Sequence, residues 1–451
     1  MKQKIIILIL LFLAVIVGSL VVFSIKKRKY WPLILVVLIF IGALIYFKIP
    51  QKLFRQPSGG QSPATSTSES IPSLGSGIPI GVQLDEPKSS ELSDDDLKDL
   101  ASKYDAISDR RVDFTPAQIK KLKEFNPSIT VIRYVNFSSI FSTGGLSSKS
   151  DRQKLIQENP EMVLKDNSGE NEPALWGGGS GVTMDPANTK WKEFLSSESY
   201  EIVNEKGYDG IMADVVLMAN KLPNKFGGIN PKTNKVYTTE EYRGAQYETL
   251  KAVKQKIGGK KLIANNIRFG KAYFEEGSSR FLEVTDGVVS EEFRGLTKMS
   301  LDQYFPEDDW EKDVEMLLDV QSKGKSIMAF VKYDKNTASD EKKLTEYNRF
   351  MLATYLLGKG DLSSFGIGIL EGIGKGSDIY DPIFKTDIGK PIGNYSKKDG
   401  IYQREFEKAK VLVNPAEKDV QVKLDKTYKT IDGDLTSEIN MKAHMGIILL
   451  K

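Results

Sequence analysis

The chain has 451 residues, 40% hydrophobic and 27% charged, which is room for more than one globular domain at about 100–200 residues each. Its 63 basic and 60 acidic residues nearly balance at a net charge of +3, so no basic excess points to nucleic acid. With no cysteine and a single histidine, His444, it has no disulfide framework, thiolate nucleophile or multi-histidine zinc site, and a Ser-His-Asp triad would have to recruit a C-terminal histidine.

Residues 1–55 read as a two-span transmembrane hairpin. Ile5–Ile25 is almost wholly apolar, "KKRK" (Lys26–Lys29) follows, and Trp31–Phe47 is apolar again, near the lower limit of about 17 residues for a span. Tyr30, Trp31, Tyr46 and Phe47 sit where interfacial aromatics belong. A tight basic loop stays in the cytoplasm by the positive-inside rule, which places the large C-terminal part outside, although Lys2, Lys4, Lys48, Lys52 and Arg55 pull the other way. The other reading, a signal peptide before a buried helix, lacks a small-residue cleavage pattern ahead of "KKRK". Residues 56–77, rich in Ser, Gly, Pro and Thr, form a flexible tether.

From residue 78 to 395, short apolar runs alternate with amphipathic stretches, the mark of repeated βα units. Strands are expected at Tyr104–Ser108, Ile129–Phe137, Gly181–Asp185, Gly210–Val216, Leu262–Ile267, Asp286–Phe293, Ser326–Tyr333 and Leu362–Leu370. Helices intervene, one with Thr115 as N-cap and Pro116 at its first position, another over Thr239–Ile257 closed by "GG". The count suits an α/β fold of the (β/α)8 TIM-barrel type, with Ile78–Leu84 left over as an extra strand at the bottom or edge. Residues 396–451 alternate without a helical period and carry "NP" and "DG" turns, so a C-terminal antiparallel β domain is expected.

Barrel active sites lie at the C-terminal ends of the strands. Those ends carry Tyr134, Asn136, Asp185, Asp214, Asn265, Asn266, Glu291, Glu292, Lys332, Tyr333 and Ser364, with Asp109, Arg110 and Arg111 nearby. Two carboxylates in one pocket can split roles, one ionised and one kept protonated by burial and its neighbour's charge, as glycoside hydrolysis requires. Side chains alternate along a strand, so Met212 and Asp214 share a face, as do Val289 and Glu291; Glu291 is preferred over Glu292. Competing readings stay open. Asp214 and Asp185 can be helix caps, Glu291 or Glu292 a solvated loop residue, Tyr134 and Tyr333 packing residues, and Asn265–Asn266 a turn. His444 reads as a surface or packing residue of the β domain. Trp176, beside a glycine run, can stack on a sugar face or simply anchor its loop. No Lys-Ser/Thr follows the glycines, so they are not read as a phosphate loop. Nothing in the pattern calls for a metal or cofactor.

These residues also carry a family resemblance. "GYDGIMADVV" (Gly207–Val216) resembles the G-[FY]-D-G-[IVF]-x-x-D strand of barrel glycosidases whose last Asp is catalytic. "DGVVSEEF" resembles a strand of polygalactosaminidase-like barrels; "RYVNF", "VTMDPANTKWKEF" and the C-terminal "KVLVNPAEKDVQVKL" also fit. Over Tyr104–Lys451 the chain is similar to the hypothetical glycosyl hydrolase-like barrel family numbered fifteen. The resemblance implies a (β/α)8 fold, a glycosidic substrate and catalytic carboxylates at Asp214 and Glu291, with Glu292 alternative because the sixth strand carries a doubled Glu. The expectation is a membrane-anchored, outward-facing glycoside hydrolase cleaving a polysaccharide or oligosaccharide, with substrate contacts from Tyr134, Asn136, Trp176, Asp185, Asn266, Lys332 and Tyr333. A carbohydrate-binding barrel without catalysis and a surface scaffold domain are the alternatives.

Overall fold

The computed structural model describes residues 78–85, 88–141, 149–174, 181–217, 222, 225–293, 295, 299–333, 339–369 and 380–451. The expected hairpin and tether therefore lie outside the described residues. Among the described residues no helix is long and apolar enough to cross a membrane.

Eight parallel strands form one sheet in sequential order: β1 (Gly81–Leu84), β2 (Ala106–Asp109), β3 (Thr130–Asn136), β4 (Gly210–Asp214), β5 (Lys261–Ile267), β6 (Gly287–Ser290), β7 (Ser326–Tyr333) and β8 (Ser363–Ile369). The sheet curls until β8 returns to the chain just before β1, through one parallel bridge, Ile80 to Phe365, and a Phe365 N–H to Pro79 carbonyl bond of 2.9 Å. The result is a nearly closed TIM barrel.

The strand assignment differs from the expectation at two places that offset one another. The stretch left over, Ile78–Leu84, supplies β1: its strand residues are all buried, as a parallel strand covered on both faces requires. Gly181–Thr183 is not a barrel strand. It pairs antiparallel with Ser139–Phe141, in an excursion between β3 and β4, and at three residues it is too short to cross a barrel. The strand carrying Asp214 is fourth by either count.

The alternation of side chains separates two cores. Ile132, Tyr134, Met212, Ile263, Val289, Met328 and Phe330 fill the barrel interior. Their strand neighbours, such as Val131, Ile211, Leu262, Val288 and Ile327, pack outward against the helices. The helices begin where local chemistry starts them. Thr115 caps Pro116–Phe125, and Thr238 caps Thr239–Ile257, each in a reciprocal capping box. The helix Glu341–Gly358 precedes β8 and buries Tyr347, Phe350, Ala353 and Leu357.

A six-stranded antiparallel sheet follows, starting at Pro391: β9 (Pro391–Lys398), β10 (Ile401–Phe406), β11 (Ala409–Asn414), β12 (Val420–Thr430), β13 (Leu435–Met441) and β14 (Met445–Leu450), in the order β9-β10-β11-β14-β12-β13. It has its own small core of Ile401, Leu412, Leu424, Tyr428, Met441 and Leu449. His444, just ahead of β14, stacks on the Tyr304 ring with centroids 3.8 Å apart, the packing role expected of it.

Candidate active site

Strands β1 to β7 each bring a polar side chain, on the strand or directly after it, to the same end of the barrel. On β4, Met212 lies in the interior core and Asp214 follows it on the same face, partly buried. On β3, Tyr134 does the same, and its hydroxyl donates to Asp214 Oδ2. Across the other side, buried Asn265 on β5 donates to Asp214 Oδ1 at 2.6 Å. Glu291 directly follows β6, on the side of interior Val289. Its Oε1 accepts from Lys332 Nζ on β7 at 2.6 Å and from Gln83 Nε2 on β1 at 2.9 Å. Arg110, directly after β2, sits with its guanidinium carbon 5.2 Å from the Tyr134 ring centroid and bonds Asp85 at 3.0 Å. Seven strands, β1 to β7, thus converge on one polar cluster.

The two carboxyl groups titrate in opposite directions. Burial and the charge of Glu291 raise Asp214 above the ordinary carboxylate range, against the Tyr134 hydrogen bond and the Arg110 charge. Burial also pushes Glu291 upward, but the Lys332 and Arg110 charges and the hydrogen bonds from Lys332 and Gln83 win and bring it down to about 2. Glu291 is one-fifth exposed as a side chain, so solvent weakens this pull without reversing it. Burial and Asp214 hold Tyr134 well above its usual value, so it remains a protonated donor. As pH falls, the first proton taken up by the pair therefore goes to Asp214.

The other residues singled out in the sequence divide. Lys332 is in the cluster. Glu292 is turned away from it and bonds Arg268 at 2.5 Å. Tyr333 is fully buried on the outer face of β7, its hydroxyl donating to Asn348 at 2.6 Å, so it packs a helix and does not line the pocket. The physical reason is the alternation that sends Lys332 inward. Asp185 lies off the barrel with the Gly181–Thr183 strand; its Oδ1 accepts from the Ala187 N–H at 2.9 Å and from Tyr237 at 2.8 Å, a buried turn anchor. Asn136 uses Oδ1 to take the N–H groups of Ser138 and Ser139 at 3.0 and 2.8 Å, which closes the turn after β3, while its buried Nδ2 has no hydrogen-bond partner. Ser364, second in β8, borders a small cavity of ≈ 70 Å³ with Asp105, Thr130 and Lys261, near the N-terminal ends of the strands. Asn266 lies on β5, but its side chain is outside the described part, and so is Trp176. Sequence alone does not single out Gln83, because Ile78–Leu84 falls outside the expected eight strands; the signal it offers is a single amide inside an apolar run.

One backbone feature adjoins Asp214. Val215 has φ of 55°, the left-handed region, where a β-branched side chain costs about 1–3 kcal/mol. Its carbonyl accepts from Ser138 Oγ at 2.6 Å and from Gln246 Nε2 at 3.1 Å. Among the described residues no group of three or more His, Asp or Glu is arranged to hold a metal ion.

No curated protein matches the chain in sequence. Among solved structures it is similar to the glycoside hydrolase domain of PelA from Pseudomonas aeruginosa, at 15% identity and a TM-score of 0.40 over 64% of this chain and 94% of that one. It is also similar to the type III pullulan hydrolase from Thermococcus kodakarensis, at 15% identity and 0.45 over 83% and 75%. A third is the noncanonic maltogenic alpha-amylase AmyB from Thermotoga neapolitana, at 12% identity and 0.49 over 83% and 98%. Likenesses this distant carry no substrate across. The profile of hypothetical glycosyl hydrolase family 15 matches residues 123–410, more than half of the sequence and the span that holds Asp214 and Glu291, and the chain belongs to that family.

Proposed function

We propose that this protein is a glycoside hydrolase that cleaves a polysaccharide or oligosaccharide with Asp214 and Glu291 as its two carboxyl groups. The observation that carries the reading is the placement of both carboxyl groups in one hydrogen-bonded polar cluster at the C-terminal ends of β4 and β6. Asp214 holds the proton and donates it to the glycosidic oxygen as the bond breaks. Glu291, kept ionised by Lys332 and Arg110, supports the positive charge that develops at the anomeric carbon, by direct attack or through a water. The anomer released first tells which. Arg110 and Tyr134 border the reacting pair, and the buried Gln83 Oε1 and Asn265 Oδ1, which lack hydrogen-bond partners, supply acceptors for sugar hydroxyls.

One observation favours the reverse assignment. Tyr134 and Asn265 donate to both Asp214 oxygens, a pattern that suits an anion. Release of reducing sugar from a polysaccharide panel tests both readings. Asp214→Asn and Glu291→Gln each abolish release while circular dichroism stays native, and full activity in both variants overturns the proposal. Azide rescues the alanine variant of the ionised partner; rescue of Asp214→Ala in place of Glu291→Ala exchanges the roles. Location outside the cytoplasm, behind a two-span anchor, belongs to the same proposal and rests on the sequence of residues 1–77. Protease added to intact cells should remove the barrel, and full protection would refute that location.

A further inference from the structure

The face pattern of β4 changes register immediately after Asp214. Ile211 and Ala213 pack outward, and Met212 and Asp214 belong to the inner face. Strict alternation would send Val216 inward, beside Asp214. Instead Val216 joins the outer core with Ile211 and Ala213, and Leu217 joins a separate cluster with Leu164, Tyr237 and Tyr242. The left-handed conformation at Val215 makes this shift. It ends the strand at Asp214, and it keeps an apolar side chain out of the site.

A valine does not hold that conformation by preference. Two side chains hold it here, and both are buried. Gln246, on the helix Thr239–Ile257, donates to the Val215 carbonyl at 3.1 Å and to Ser138 Oγ at 2.6 Å, and its Oε1 takes the Leu217 N–H at 2.6 Å. Ser138 donates to the same Val215 carbonyl at 2.6 Å. Ser138 is itself fixed by the Asn136 turn, and the Phe137 N–H reaches the Asp214 carbonyl at 2.9 Å. Where these bonds reach the end of β4 they meet backbone groups of Asp214, Val215 and Leu217, and none reaches the Asp214 carboxyl group.

Resting on the hydrolase reading above, we infer that Gln246 and Ser138 are positioning residues that clamp the strained Val215 turn and thereby aim the Asp214 carboxyl group. Neither touches the reacting atoms. The clamp is needed because residue 215 is a valine, so a glycine there, which adopts the left-handed conformation freely, makes the clamp dispensable. A residue serving only general stability would show no such dependence.

The test is a cycle of Gln246→Ala, Val215→Gly and the double variant, read by kcat, KM and the titration of a carbon-13-labelled Asp214 carboxyl. Gln246→Ala lowers kcat about 10- to 100-fold with KM changed less than about twofold, and it displaces the Asp214 titration. The double variant recovers most of the kcat and the parental titration. Ser138→Ala, a smaller change that serves if Gln246→Ala fails to fold, gives the same pattern more weakly and is rescued by the same glycine. An Asp214 titration unchanged in the single variants, or a double variant as impaired as Gln246→Ala, overturns the inference. If the parent protein cleaves no glycan, the hydrolase reading falls while the titration still decides the clamp.

Discussion

At the scale of single residues the site sets two partners of like chemistry against each other, and this has consequences for stability. A carboxyl group whose folded pKa is raised binds its proton more tightly in the native state than in the unfolded chain. Stability then falls as pH rises from the ordinary carboxylate range to the raised value, and the loss is complete above it. Asp214 is such a group. Asp214→Asn keeps the shape, since its carbonyl accepts from Asn265 and its amide faces the Tyr134 hydroxyl. Asp214→Asn is therefore expected to abolish activity yet raise Tm at neutral pH, with the gain shrinking toward pH 4; a Tm equal to or below the parent's at every pH would refute this. Glu291 runs the other way. Its folded pKa is depressed, so its contribution is present above the ordinary carboxylate range and fades as pH falls toward about 2. Lys332→Met removes the strongest downward pull and moves the acid limb of the kcat/KM profile toward neutral pH. A limb that stays where the parent's lies would show that Arg110 and Gln83 suffice. Strand alternation makes Asp214 and Glu291 legible in the sequence, while Lys332 and Tyr333 stand there side by side as candidates. The sequence hides Gln83, Arg110's place over Tyr134 and the Gln246 clamp, which depend on contacts between residues as much as 208 positions apart.

At the scale of elements, the eightfold count was readable from alternating apolar and amphipathic runs, while membership of the barrel was not. Gly181–Thr183 looks like a strand and is one, but hydrogen bonding to Ser139–Phe141 satisfies it outside the sheet. Local pattern reports that a segment is extended, and only pairing decides which sheet receives it. Ile78–Leu84 shows the converse: it follows a stretch of sequence rich in Ser, Gly and Pro and yet closes the barrel. That closure is the thinnest part of the sheet, one bridge between Ile80 and Phe365. Beside it, a Cβ on Gly366 would lie 2.2 Å from Phe330 Cε1 and 2.6 Å from the Gly81 carbonyl oxygen. The missing side chain is what lets Phe330 fill the interior at the seam. Gly366→Ala should cost about 1–3 kcal/mol by overpacking, and Gly366→Ala with Phe330→Leu should recover part of the loss, as thermal unfolding can show. Equal Tm in Gly366→Ala and the parent would mean that the seam opens without cost.

At the scale of the whole molecule, the C-terminal sheet is tied into the barrel through the helix Glu341–Gly358, and the described residues fall in one compact unit. Gly446 on β14 approaches that helix so closely that a Cβ would lie 2.5 Å from Ala353 Cβ and 3.0 Å from the Phe350 Cα. Arg404 on β10 donates to the carbonyls of Leu356, Leu357 and Lys359 at 3.1, 2.9 and 2.7 Å, which satisfies the helix end with a charge. Burial lowers this guanidinium to about 10, so it stays charged at neutral pH and the cap persists. Hydrogen bonds to a charged donor contribute about 1.5–3 kcal/mol each, against a total stability of about 5–15 kcal/mol. Removing residues 391–451 would uncover the Phe350 and Ala353 face and leave those carbonyls without Arg404. The same helix leads into β8, the strand that must reach Ile80 to close the barrel. The truncated chain should therefore lose cooperative unfolding and expose apolar surface, measured by dye binding and differential scanning calorimetry against the full chain. Arg404→Met in the full chain separates the two contributions: it should lower Tm but keep one transition, because the Gly446 contact remains. A truncated barrel that melts in a single transition at the full chain's temperature would show that the sheet is an independent appendage, and would remove it from any account of how β8 is held.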